Sequence, residues 1–155
     1  MTTYRIIDGD LADPRVVELL RIHVMTARRT NADGFIGYAL EPSGLDAPDI
    51  SFWTIWDAER LAGCGALREL SSDHGEVKSM HTASEARGRG FGAAMLTHII
   101  ATARTRGYQR LSLETGTWNY FEPARRFYRR HGFLECGPFA DYPEDPNSLF
   151  MTLTL

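Results

Sequence analysis

At 155 residues and 43% hydrophobic content, the chain is long enough to bury one substantial core and short for two ordinary domains. A formal net charge of -3 speaks against a general nucleic-acid binder, and no apolar run approaches the length of a membrane span. The first residues carry no basic segment followed by an apolar core, so no secretion signal is expected; Cys64 and Cys136, without CxxC spacing, are expected as buried free thiols in a reducing cytoplasm.

Residues 4–7 read as a short strand closed by Asp8-Gly9-Asp10. Asp13 then offers an N-cap before Pro14, and Val16, Val17, Leu19, Leu20, Val24 and Met25 recur at helical spacing, which predicts a helix to about Arg28. Residues 31–48 are broken by Gly34, Gly37, Pro42, Gly44 and Pro48 and read as a loop with one short helix. Arg21, Arg28, Phe35 and Tyr38 in and before this stretch are candidates for a substrate pocket.

Residues 50–56 are strongly strand-forming, and 57–60 turn them into 61–68 as an antiparallel hairpin, with Trp53 and Trp56 as core. A polar turn at 71–75 leads to a strand at 76–82. Phe91, Met95, His98, Ile99 and Thr102 mark the inner face of a helix ending near Gly107, with His98 as a satisfied core histidine. The next strand, 111–114, should lie parallel to 76–82 because a helix intervenes. After a loop at 118–121, Pro123 opens a helix with Ala124, Phe127, Tyr128 and His131 inward and its arginines on a solvated face, until Gly132 stops it. Residues 133–139 and 149–155 read as two closing strands around an acidic turn carrying Asp141, Tyr142 and Glu144. The order is that of one α+β domain, 1–155, without repeats or linkers.

The chemistry concentrates at 76–93. Gly88, Gly90 and Gly92 strip side chains from a turn that delivers free N–H groups at a helix N-terminus, and Arg87 and Arg89 add positive charge in an acidic chain. This is a phosphate or pyrophosphate cradle. A P-loop is excluded because no GK[ST] closes the turn. Gly88-x-Gly90-x-x-Ala93 formally satisfies the dinucleotide fingerprint, but mainly antiparallel strands precede it and too few βα units follow.

Arg87-Gly88-Arg89-Gly90-Phe91-Gly92, between a strand and a helix, together with Phe127-Tyr128-Arg129-Arg130-His131-Gly132-Phe133 downstream, resembles the GNAT superfamily of acetyl-CoA-dependent N-acetyltransferases. Within it, residues 61–67, 111–116 and 144–148 look similar to an uncharacterised YsnE-like branch. The resemblance covers nearly the whole chain. It implies a mixed, mostly antiparallel sheet of six to seven strands, splayed at its centre, with helices on both faces. It implies acetyl-CoA as donor, a primary amine as acceptor, and direct attack on the thioester. The pyrophosphate would lie on Arg87, Gly88, Arg89, Gly90, Phe91, Gly92 and Ala93, and the pantetheine arm on the backbone of Met80, His81 and Thr82 and on Asn119.

Glu76, four residues before Met80, would then be the base, directly or through water. On a regular strand 76, 78 and 80 share a face, which would turn Glu76 into the cleft; otherwise it is a solvated carboxylate, paired or not to Lys78, the chain's only lysine. Tyr128 would protonate the departing thiolate, or be an ordinary core aromatic. Tyr38, Glu114 and Tyr142 are the residues expected on the acceptor. His23, His74, His81 and His131 form no metal-ligand spacing, so no metal is expected. A small-molecule amine is preferred to a protein, nucleic acid and membrane are not expected as partners, and strands left at the sheet edges leave a homodimer open. A non-catalytic acyl-CoA-binding module and a dinucleotide-binding protein are the alternatives.

Overall fold

The computed structural model describes residues 3–29 and 42–155, with 28, 29 and 42 described by backbone alone. Seven strands form one sheet: β1 (Arg5–Asp8), β2 (Ile50–Asp57), β3 (Arg60–Ser71), β4 (His74–Thr82), β5 (Arg110–Gly116), β6 (Leu134–Cys136) and β7 (Ser148–Thr154). Their spatial order is β1-β2-β3-β4-β5-β7-β6, and every pairing is antiparallel except β4 with β5. Among the described residues three α-helices accompany them: α1 (Pro14–Arg29), α2 (Phe91–Thr105) and α3 (Glu122–Arg130).

Local chemistry accounts for most element limits. Asp13 Oδ1 accepts the Arg15 backbone N–H at 2.9 Å and caps α1, whose Val16, Leu19, Leu20 and Val24 are buried at helical spacing. The β2–β3 hairpin buries Trp53 and Trp56 as expected. α2 lies close against β3 because Gly65 has no side chain: a Cβ there would sit 2.7 Å from Met95 Cγ. The buried face of α2 is Phe91, Met95, Leu96, Ile99 and Ala103, so it is rotated from the expected stripe. Leu96 and Ala103 replace His98 and Thr102, which are half-buried. His98 is not satisfied either, since its buried Nε2 has no partner among the described residues.

Other expectations need correcting. The strand expected at 133–139 is three residues long, Leu134–Cys136, and Cys136 is half-buried where Cys64 is fully buried. Arg125 is not solvated; its Nη1 donates to the carbonyls of Gly116 (2.8 Å) and Trp118 (3.1 Å), fixing the chain where β5 runs towards α3.

The most consequential correction concerns β4. Cys64 pairs with His81, yet Ala66 pairs with Lys78, so Ser79 and Met80 together oppose Gly65. This is a β-bulge, and Ser79 within it takes a left-handed φ of 53°. An inserted residue reverses the alternation of side chains. Before the bulge, a Cβ at Gly75 would touch Tyr108, just past α2, which puts 75 and 77 on the α2 face and Glu76 and Lys78 on the other. After it, Met80 meets the α2 side, whereas His81 meets His23 of α1. Residues 76, 78 and 80 therefore do not share a face, and α1 and α2 cover opposite faces of the sheet.

Candidate active site

β4 and β5 pair only over His74–Arg110, Gly75–Leu111 and Glu76–Ser112. Beyond Glu76 the β5-facing edge of β4 makes no ladder, while its other edge stays paired to β3 as far as Thr82. The sheet thus opens at its centre, and the backbone of 77–82 offers donors and acceptors into the gap, as an extended amide-bearing ligand requires.

At the far end of β4 a short turn (Ser84–Ala86) leads through Arg87 into α2. Gly88 and Gly90 have φ of 76° and 88°, conformations that L side chains avoid, and a Cβ at either would meet nothing within 4 Å. The glycines are thus demanded by backbone conformation, and the space beside them is open. Among the described residues no side chain caps α2, whose N-cap is Gly90; the carbonyl of Gly90 accepts from Ala94 at 3.0 Å, and the N–H groups of Phe91, Gly92 and Ala93 lie at the start of the helix, ahead of its internal hydrogen bonds. This 15-residue helix directs its positive end and those donors outward, and the geometry fits an anion. Phe91 contributes only its backbone there, since its ring is buried. Arg89 is not a free cation: it pairs with Asp57 at 2.8 Å and lies over the Phe91 ring. Arg87 Nε donates to the Thr82 carbonyl at 3.3 Å, tying the turn to β4.

On the other face, Glu76 is 1% exposed. Its Oε2 accepts from Lys78 Nζ at 3.1 Å and from the Tyr142 hydroxyl at 2.5 Å, and Lys78 also donates to the Tyr142 oxygen at 2.9 Å. Glu76 Oε1 is buried with no partner among the described residues. The expected ion pair with Lys78 is present, but neither side chain is solvated (8% and 1% exposed). Glu114, one step past the last β4–β5 pair on the same face, accepts from Ser148 Oγ at 2.8 Å. Burial, opposed by that hydrogen bond and by Lys78, pushes its carboxyl up to about 7. A cavity of about 680 Å³ opens over this face, floored by Glu76, Lys78 and His74 and walled by 140–143. Burial also raises the Tyr142 hydroxyl, as do the neighbouring carboxylates.

Tyr128 points inward as expected, its ring against Phe127 and Phe133, and burial alone raises its hydroxyl. Asn119 is exposed at the start of a short turn (Asn119–Phe121). Tyr38 and Phe35 lie outside the described residues, as does the side chain of Arg28. His81 faces His23, Nδ1 to Nδ1 at 3.1 Å, and burial lowers both to about 4. Reading the sequence missed the union of Tyr142 with Glu76 across 66 residues. The aromatic in an acidic loop was the one signal for it.

The profile of the Acetyltransferase (GNAT) family matches residues 19–133. The chain is 48% identical over 146 residues to an uncharacterised N-acetyltransferase, YsnE, of Bacillus subtilis, covering 94% of this chain and 96% of that one. It is 42% identical to the uncharacterised N-acetyltransferase YedL of Escherichia coli, covering 94% and 91%. Among solved structures, an acyl-CoA N-acyltransferase so described from Klebsiella pneumoniae superposes with a TM-score of 0.79 at 27% identity, over 100% of this chain and 99% of that one.

Proposed function

The chain belongs to the GNAT acetyltransferase family, and from that footing we propose that it moves the acetyl group of acetyl-CoA to the primary amine of a small molecule, as one domain spanning 1–155. The observation that carries the reading is the run of β4 into α2: an open strand edge beside the central gap continues into an uncapped helix N-terminus with free space at Gly88 and Gly90. A ligand with an extended amide arm and a pyrophosphate needs both, in that order. When bound, acetyl-CoA supplies the thioester as acyl donor.

The chain's residues then divide the proton work. The amine must lose a proton as its nitrogen bonds the acyl carbon, and the departing sulfur must gain one as the C–S bond breaks. Glu76 is proposed to take the first through Oε1, the carboxylate oxygen that has no partner among the described residues. Tyr128 is proposed to give the second, its hydroxyl kept protonated by burial. Because the bulge at Ser79 turns Glu76 away from the Met80 face, the amine would approach from the α1 face and the cofactor from the α2 side, meeting in the gap. One observation favours a second reading of the base: Glu114 borders the gap on the same face, with its carboxyl pushed up to about 7, near the optimum for exchanging protons at neutral pH.

The test is binding of acetyl-CoA against NAD, followed by free-thiol release with a panel of amines. Acetyl-CoA binding with amine-dependent thiol release is expected, and Tyr128→Phe should keep binding while lowering kcat. Binding without turnover on any amine would leave the acyl-CoA-binding module; binding of NAD alone would overturn the reading altogether.

A further inference from the structure

Where β4 and β5 part, one chain of side-chain hydrogen bonds crosses three strands. Arg110 Nη2 lies 3.3 Å from His74 Nδ1, and His74 Nε2 lies 2.7 Å from Ser112 Oγ. Ser112 Oγ lies 3.1 Å from Thr152 Oγ1, and Thr152 donates to the Leu111 carbonyl at 3.1 Å. Both ends fix its direction. A guanidinium only donates, so His74 Nδ1 accepts and the ring proton sits on Nε2. A carbonyl only accepts, so Thr152 spends its proton on Leu111 and must accept from Ser112, which in turn must accept from His74. The same tautomer follows from either end. It excludes a nucleophilic serine–histidine dyad, since Nε2 already carries a proton and cannot take one from Ser112. Burial, and then the Arg110 charge, lower the pKa of His74 against the opposing pull of Asp73 and Glu76, which suits the neutral ring that the chain requires.

The chain stands at the last rung of the β4–β5 ladder. Ser112 is the β5 partner of Glu76, and beyond that pair the two strands have no ladder. So short a parallel pairing is weak by itself, and a ligand arm wedged into the gap would pry at its open end. His74 and Ser112 are 9% and 1% exposed, so the bond between them is shielded from water. Resting on the proposed acetyltransferase activity, we propose that His74 and Ser112 are positioning residues: their bond stops the fork at Glu76 and so holds that carboxylate at the root of the gap. They act through Glu76. The cofactor's strand edge, within residues 77–82, is held from its other side by β3. Loosening the fork should therefore displace Glu76 while leaving acetyl-CoA binding intact, and a displacement of about 1 Å can cost on the order of 10²-fold in rate.

The experiment compares the wild type with Ser112→Ala, His74→Ala, His74→Gln and Thr152→Val. It measures acetyl-CoA Kd by calorimetry, kcat from thiol release with the fastest amine of the panel, and amide hydrogen exchange over residues 74–77 and 110–113. His74→Gln keeps an N–H donor for Ser112 and loses the ring. Thr152→Val breaks the chain one bond further out, at a half-buried position, and replaces Ser112→Ala in the comparison if that variant does not fold. The expected result is a kcat about ten- to a hundredfold lower in Ser112→Ala and His74→Ala, with Kd for acetyl-CoA within about twofold of the wild type. Exchange at the fork should quicken, and His74→Gln should recover most of the lost kcat. Wild-type kcat in a folded variant with the bond broken would overturn the proposal. So would kcat and cofactor affinity falling together, as a general loss of structure gives, or a His74→Gln as slow as His74→Ala. Fork exchange unchanged in every variant would overturn the clamp while leaving the acetyltransferase reading intact. Acetyl-CoA binding with no thiol release from any amine, in the wild type itself, would overturn that reading and this proposal with it.

Discussion

The triad of Glu76, Lys78 and Tyr142 can be tested without knowing the acceptor, through stability alone. Tyr142→Phe keeps the ring against Phe139 and Phe150 and removes only the hydroxyl, hence one hydrogen bond to a buried carboxylate and one acceptor for Lys78. A hydrogen bond to a charged group is worth about 1.5–3 kcal/mol. Glu76→Gln preserves shape but leaves Lys78, 8% exposed, without its counter-charge; breaking a buried pair from one side costs about 3–5 kcal/mol. Both losses fit within the roughly 5–15 kcal/mol that holds a domain folded, so each single variant should be a folded, weakened protein. The double variant should not lose the sum. With Glu76 neutral, the Tyr142 hydroxyl has no anion to bond, and a coupling of about 1–2 kcal/mol is expected. Urea titration of all four proteins gives the cycle directly, provided the m-value stays constant. Additivity to within about 0.5 kcal/mol would refute the contact as a determinant of the folded state.

If Glu114 rather than Glu76 takes the amine's proton, kcat for a weakly basic amine should rise through a midpoint near 7, and Glu114→Gln should erase that limb; a limb that survives the substitution belongs to another group. At pH 6 only about a tenth of such a carboxylate is ionised, so the loss between pH 8 and 6 is readily measured. Gly90→Ala puts a side chain on a φ of 88° in open space, so about 1–2 kcal/mol of strain is expected with weaker acetyl-CoA binding; unchanged affinity by calorimetry would remove the turn from the cofactor site. The facing pair His23 and His81 bonds Nδ1 to Nδ1 only while at least one of the two rings is neutral, and burial lowers both to about 4 from 6.5. Between those values the unfolded chain binds more protons, so this stability is complete above pH 6.5 and is lost as pH falls towards 4. Taking the protein from pH 6.5 to 5 should cost at most about 2 kcal/mol per histidine, and His81→Asn should flatten the dependence seen by denaturant titration.

The element order and the cradle were legible because they rest on local chemistry. Asp13-Pro14 starts α1, the hairpin reads from β-branched and aromatic runs, and glycines announce a turn that only positive φ can close. The rotation of α2 was not, because Leu96 and Ala103 compete with His98 and Thr102 for one stripe and packing on β3 decides between them. Nor was the union of Tyr142 with Glu76, since nothing in a period-2 or period-3.6 pattern pairs residues 66 apart.

The bulge at Ser79 is the most instructive gap. A strand read as strictly alternating puts Glu76 beside Met80; one inserted residue puts them on opposite faces. Nothing in Lys78-Ser79-Met80 signals it, because serine carries no preference for a φ of 53°. With Ser79 in the sequence, the insertion is what sends Met80 to the α2 side while Glu76 keeps the α1 face. Before it, β4 shows carboxylate and lysine to the α1 face; after it, Met80 turns to the α2 side, where the anion cradle lies. Deleting Ser79 would make the strand regular, with Lys78 opposite Ala66 and Met80 opposite Gly65, and would leave Glu76 on the α1 face and Met80 on the α2 side. Such a variant, if folded, should therefore retain more turnover than Glu76→Gln, which weakens the proton transfer itself; a more complete loss would mean that the local twist of the bulge, and not the facing of these side chains, is what the site needs.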